Sequence, residues 1–303
     1  MSVNPVAASP VPVVISARPP RIVRIAKWML RASRQQPLGT IGAVVVFVFL
    51  VAATVPGLVA PYDPDKVGVG ARLEGSSWSH VMGTDSIGRD VFSRIIWGAR
   101  LSVLIGFGSV LVGTTVGTAI GLVSGYAGGL ADTLIQRFVD ALMTFPGLIL
   151  ALVLVTVWGQ GVPQLVLAIA ILIIPGATRI VRGATLAEKN NQYIDAARVL
   201  GASHHRILFR HILPNVSAPI IVIVSVMVGV AILIEAALSF LGLGVPPPTS
   251  SWGQMLSIEG RTYMLQQPWL AIWPGLAISL VVLGLNLVGD ALRDLLDPKL
   301  RLR

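Results

Sequence analysis

The chain has 303 residues, 54% of them hydrophobic and only 12% charged, with a mean hydropathy of +0.79. A soluble domain carries about 25% charged residues, so this balance excludes most soluble enzymes and indicates an integral membrane protein. The formal charge of +9 arises from 23 Lys+Arg against 14 Asp+Glu spaced between apolar runs, a pattern of membrane orientation rather than of nucleic-acid binding. The absence of cysteine removes disulfides, Cys-ligated zinc, Fe–S clusters and Cys nucleophiles.

Residues 1–36 are expected to form an N-terminal tail on the cytoplasmic side. Pro5, Pro10, Pro12, Pro19 and Pro20 suggest a loose segment, and Arg21 to Arg34 suit a basic helix lying on the membrane surface. The apolar run that follows starts too late and is too long for the core of a cleaved signal.

From 37 to 303 the charge-free runs mark spans. Leu38–Ala60, Leu101–Ala131, Ala141–Thr178, Ile212–Ile234 and Thr262–Gly289 contain no charged residue. The third run holds 38 residues, far more than the ~20 that cross a hydrocarbon core. Its middle, Trp158-Gly-Gln-Gly-Val-Pro163, is a turn signal. Splitting it there predicts six spans, at about 38–60, 101–125, 138–157, 164–182, 214–240 and 270–290. Each must satisfy its own backbone hydrogen bonds in the bilayer, so the predicted fold is an all-α polytopic membrane protein.

With both termini cytoplasmic, 17 of the 23 Lys and Arg residues fall on the inner side, as the positive-inside rule requires. Trp97, Trp158, Trp252, Trp269 and Trp273 fall near the outer ends, where an interfacial belt belongs. Gly113, Gly117, Gly121 and Gly125 in the second span line up at intervals of four. They make a ridge that another helix can approach closely, in this chain or in a partner.

The inner loop, 183–213, is the most informative segment. Thr185–Leu200 is compatible with a helix, Gly201 with a left-handed C-cap, Ser203 with the N-cap of a second helix and Pro214 with the first turn of the next span. Two short helices meeting at a bend, with Ala196, Ala197, Val199 and Leu200 beside Arg198, Arg206 and Arg210, describe either a solvated surface or a docking knob.

Asp195-Ala196-Ala197, Gly201 and Leu213-Pro214 resemble, in residue type and spacing, the EAA loop of ABC importer permeases. Asp195 replaces the family's Glu, and His211 replaces an Ile. His80–Arg94, Gly98–Ser102, Glu235–Gly244, Pro247–Gly253 and Asn286–Pro298 are similar to segments of the dipeptide, oligopeptide and nickel branch, C type, so that the resemblance extends from about residue 36 to 303. It implies a type I importer permease fold and a division of labour. A second homologous permease would complete the pore in the lipid bilayer, two cytoplasmic ATPases would drive it, and an extracytoplasmic binding protein would deliver substrate. Dipeptides or oligopeptides are the implied cargo, with nickel or another small solute as the alternative. Asp195, Ala196, Ala197, Gly201, Leu213 and Pro214 would then dock the ATPase. This chain would bind no cofactor, since it has no phosphate-binding loop of the G-x-x-x-x-G-K-[ST] type; ATP and magnesium would be used by the partners.

Glu235, some 20 residues into the fifth span, reads as a pathway or gate residue or as a packing carboxylate. Asp140 and Asp290 near inner ends read as structural. Asp85, Arg89 and Asp90 suit a turn held by local ion pairs, or a contact with the binding protein. His204, His205 and His211 lack the acids or cysteines that would complete a metal site, so no metal ligands and no catalytic residues are expected. An intramembrane protease would need a nucleophile with a His base or a zinc motif in the bilayer, and all four His fall outside the spans. A self-contained secondary transporter would rest on Glu235 alone and leave the loop unexplained.

Overall fold

A computed structural model describes residues 35–296. The expected basic helix over Arg21–Arg34 lies outside the described residues, as does the C-terminal stretch after Leu296. Among the described residues there is no strand; one isolated antiparallel bridge joins Thr84 and Asp90.

The helices in chain order are α1 Pro37–Thr54, α2 Pro56–Val59, α3 Val91–Ala127, α4 Gly129–Met143, α5 Gly147–Trp158 and α6 Val162–Glu188. The loop helices follow: α7 Gln192–Val199, α8 His204–Ile207, a wide π turn at Leu208–Ile212 and α9 Leu213–Asn215. Then come α10 Ser217–Phe240, α11 Trp252–Met255, a second π turn at Leu256–Gly260, α12 Arg261–Tyr263 and α13 Trp269–Leu296. Among the described residues five helices are long and apolar enough to cross a membrane, and a sixth crossing is reached only if α4 and α5, bent against each other, count as one span.

Two spans differ from the sequence expectation. The second begins at Val91 rather than near 101, because Asp90 caps the helix by accepting a hydrogen bond from the Ser93 N–H at 2.8 Å, and Arg94 is buried against Asp85 at 2.6 Å instead of facing solvent. The third is not one helix over 138–157. It bends by 86° between α4 and α5, at Phe145-Pro146-Gly147. Proline has no N–H to donate and pushes its predecessor out of the helical region.

The glycine ridge of α3 lies against α6 of the same chain. A Cβ on Gly113 would sit 2.7 Å from the Ala170 carbonyl oxygen, one on Gly117 2.7 Å from Ala177 Cβ, and one on Gly121 2.7 Å from the Thr178 carbonyl oxygen. Backbone meets backbone here, so a side chain cannot be absorbed by rotamer change. Gly117→Leu is expected to cost about 1–3 kcal/mol or more by overpacking and to lower the yield of membrane-inserted protein several-fold, as read on immunoblots of membrane fractions. Gly183→Leu, whose Cβ would meet nothing within 4 Å, is the matched control.

The main core follows α3, α6 and α10 through Ile105, Leu165, Ile169, Ile232 and Leu238, all fully buried. A second, smaller core at the end of the bundle that carries 183–213 gathers Leu122, Val181, Ile194, Ile207, Ile212 and Val216. Burial of the three loop isoleucines fastens that loop to the spans; fully burying such a side chain is worth roughly 1.5–3 kcal/mol.

Candidate functional site

The loop 183–213 folds as two short helices around a sharp bend. α7 ends in a Schellman arrangement: the Ala202 N–H donates to the Ala197 carbonyl at 3.0 Å and the Gly201 N–H to the Arg198 carbonyl at 2.9 Å. Gly201 has φ +76°, the left-handed conformation that glycine adopts without strain. Ser203 caps α8 by accepting from the Arg206 N–H. The helix expected over Thr185–Leu200 is interrupted at Lys189–Asn191, so α6 and α7 are separate rods joined by a short hinge.

Of the residues singled out in the sequence, Asp195, Ala196, Gly201 and Pro214 are exposed, while Ala197 and Leu213 are half-buried. Asp195 pairs with Arg198 at 2.9 Å on the surface, a contact worth little by itself. Val199 and Leu200 stand out at the bend, 87% and 85% exposed. Two adjacent apolar side chains so fully in solvent, on a loop whose isoleucines are fully buried, form a knob suited to a partner's pocket.

The loop is rooted by side chains that sequence reasoning passed over. Tyr126, one residue from the end of α3, meets it three ways. Its hydroxyl is 2.7 Å from His204 Nδ1, Arg198 lies over its ring at 5.9 Å, and Lys189 donates to its carbonyl at 3.4 Å and to the neighbouring Gly125 carbonyl at 2.8 Å. Lys189 thereby caps the C-terminal end of α3, where the helix dipole favours a cation. Tyr193 donates to Glu188 and accepts from Asn215 at 2.9 Å, closing α6, α7 and α9 onto one another. The three histidines are engaged separately: His205 stacks on Phe209 with ring centroids 4.5 Å apart, and His211 lies near Tyr193.

One layer deeper, Asp132 of α4 receives both arms of Arg182, Nε to Oδ1 and Nη2 to Oδ2, each at 2.6 Å. Ser124 of α3 donates to the same carboxylate, and Gln136 donates to Ser124 at 2.9 Å. The fork-to-carboxylate geometry is the strong form of the ion pair. Asp140 and Arg179 make a second bridge between the same helices at 2.5 Å. The pairs are some 40 to 50 residues apart in sequence, and only the packing of α4 on α6 brings them together.

At the opposite end of the bundle, Asp85 accepts from Arg89 Nε and Arg94 Nη1, each at 2.6 Å. His80 Nδ1 is 3.0 Å from Asp90, and Ser86 donates to Glu259 at 2.9 Å. Asp85 and Asp90 are each 1% exposed, so they fasten this segment together from inside rather than meeting a partner. Trp252 also departs from the expected interfacial belt: it is buried and donates to the Ile95 carbonyl at 2.9 Å, over Gly98, where a Cβ would lie 2.9 Å from the indole. Glu235 is fully buried in α10. Ser239, one turn on in the same helix, donates to it at 2.7 Å, and its other carboxyl oxygen has no hydrogen-bond partner among the described residues.

Residues 117–302 match the family described as binding-protein-dependent transport system inner membrane component. The chain is 44% identical over 272 residues to a glutathione transport system permease protein GsiD of Escherichia coli O6:K15:H31, covering 89% of each chain. It is 47% identical over 242 residues to the protein of that name from Pectobacterium atrosepticum, covering 80% of each. The counterpart in Shigella flexneri serotype 5b is 46% identical over 272 residues, 89% of each. With its apolar crossings and its rooted loop, the chain therefore belongs to the binding-protein-dependent transport system inner membrane components, the permease subunits of ABC importers, and is a transport subunit rather than an enzyme.

Proposed function

We propose that the chain is one of two permease subunits of an ATP-driven importer for short peptides, with both termini in the cytoplasm. The exposed Val199–Leu200 knob on a loop anchored by buried isoleucines carries this reading. A loop that is apolar at its tip and rigid at its root is built to take a push. Two cytoplasmic ATPases receive the knob together with Asp195, Ala196, Ala197 and Gly201, while Leu213 and Pro214 lead back into α10. Closure of the ATPases on ATP and magnesium moves the loop, and the ion pairs joining α4 to α6 pass that motion into the broken span, giving alternating access. The chain itself holds no cofactor in this scheme. The relatives' name, glutathione transport, favours a peptide of that size over nickel or another small solute.

The test is uptake by proteoliposomes holding the permease pair, the ATPases and the binding protein. ATP-dependent accumulation of di- or tripeptides, absent when the binding protein is omitted, is the expected result. Uptake of nickel but not peptide would reassign the cargo. Uptake driven by an ion gradient without ATP would overturn the importer reading.

Glu235 serves in this account as a packing carboxylate buried inside the bundle and held by Ser239 of its own helix, not as a proton relay. Glu235→Gln is expected to retain at least half of the uptake. Glu235→Ala, which leaves a cavity and an unpaired hydroxyl at a cost of about 2–4 kcal/mol, is expected to lower the yield of assembled complex. Loss of transport in a fully assembled Glu235→Gln complex would contradict the packing role.

A further inference from the structure

Along α4, Thr133, Arg137, Asp140 and Thr144 fall within about 60° of one another around the helix axis at 3.6 residues per turn. Thr133, Arg137 and Thr144 are exposed. The Asp140–Arg179 pair is half exposed, at 47% and 48% of its side chains. The two threonine hydroxyls are satisfied by the Gly129 and Ala141 carbonyls. Among the described residues Arg137 has no hydrogen-bond or ion-pair partner. The stripe leads directly into the break at Phe145-Pro146, itself exposed.

This face cannot lie against hydrocarbon. The 12 residues of α5 rise only about 18 Å, too short to cross a core of about 30 Å, so in a six-span permease α4 enters the bilayer as well. Irregular backbone at membrane depth is tolerated only where protein or water covers it, and charged side chains in spans face a bundle interior or a water-filled cavity. A long side chain can carry Arg137 alone toward the surface; the Asp140–Arg179 pair, joined between two helices, is less free to follow it. Phe138, also exposed, lies at least 100° around the axis from every member of the stripe, and with Leu134 beside it supplies the apolar face of α4.

Building on the transport function argued above, we propose that this stripe lines the water-filled translocation path, and that Arg137 is its receiving cation for carboxylate-bearing solutes. Arg137, Asp140 and Arg179 together carry one net positive charge. Of the three, Arg137 keeps its guanidinium donors free to meet a carboxylate in fork geometry.

The chain contains no cysteine, so single cysteines report on their own positions in the intact complex. Thr133→Cys, Arg137→Cys and, as the apolar-face reference, Phe138→Cys would be treated with a charged, membrane-impermeant maleimide in reconstituted importer open to reagent on both sides. The two stripe cysteines are expected to react at least ten-fold faster than Phe138→Cys. Equal, slow reaction at all three would mean that lipid or the second permease covers the stripe, and would overturn the proposal. In uptake, Arg137→Gln is expected to lower the maximal rate about ten-fold with the half-saturating substrate concentration unchanged, while Arg137→Lys restores most of it. Wild-type rates in Arg137→Gln would remove the receiving role. If the unsubstituted complex transports nothing, the transport function fails by itself, and the labelling pattern still decides which face meets water.

Discussion

Replacing Gly201 by valine should abolish uptake while leaving the chain inserted and the bundle intact. Gly201 sits at φ +76°, and a Cβ there would meet nothing within 4 Å. The penalty therefore comes from the backbone and not from a clash. Holding a β-branched residue in that conformation costs on the order of 1–3 kcal/mol, and the loop escapes by opening the two Schellman hydrogen bonds at Gly201 and Ala202. That reorients the Val199–Leu200 tip relative to Ile194 and Ile207, which remain buried. ATP hydrolysis by the partners should persist and peptide accumulation should fall at least ten-fold, measured on the same proteoliposomes. Gly201→Asn, which tolerates the left-handed region far better, should recover much of the uptake. Unchanged transport in Gly201→Val would remove the docking role of the bend.

The second large effect is expected at Asp132. Its carboxylate holds both arms of Arg182 and the Ser124 hydroxyl. Removing one partner of such a pair strands the other, which costs about 3–5 kcal/mol when both are fully buried. Arg182 is about one-third exposed, with 32% of its side chain accessible, so about 2–3 kcal/mol is the better expectation here once solvent screening is counted. Asp132→Ala should lower the melting temperature of the detergent-purified complex by several degrees and depress uptake beyond the loss of protein. The double variant Asp132→Ala/Arg182→Ala should be more stable than the sum of the two single losses predicts, the mark of a direct pair in a double-mutant cycle. Additive losses would mean that the two residues act separately, and the path from loop to broken span would have to run elsewhere.

Much of this architecture is legible in the sequence because bilayer chemistry is coarse. Charge-free runs of known length locate the crossings, and the spacing of Asp195-Ala196-Ala197, Gly201 and Leu213-Pro214 identifies the loop. The break in the third crossing escaped a reading based on charge alone, although Phe145-Pro146-Gly147 carries the signal in its proline. The early start of α3 escaped for a related reason. Arg94 looks like a solvent residue until its partner Asp85 is seen to be buried with it. Trp252 counts as an interfacial aromatic by position and as a core residue by contact, and only the hydrogen bond to Ile95 decides between them. Tyr126, and the pairing of Asp132 with Arg182, could not be read at all. Nothing local marks a tyrosine at a helix end or an acid in a first turn as the partner of residues some 50 or more positions away.

The central claim is that the exposed tip of the loop is the handle by which ATPases work this permease. The most direct measurement is mild-detergent affinity purification of the tagged chain with its importer partners co-expressed, comparing the natural protein with Leu200→Asp. Leu200 is 85% exposed, so the substitution should leave the fold untouched. The account predicts that the natural chain brings down both ATPases and the second permease, and that Leu200→Asp keeps the second permease but loses the ATPases and all ATP-dependent uptake. Equal recovery of the ATPases by both chains, with uptake intact, would contradict it.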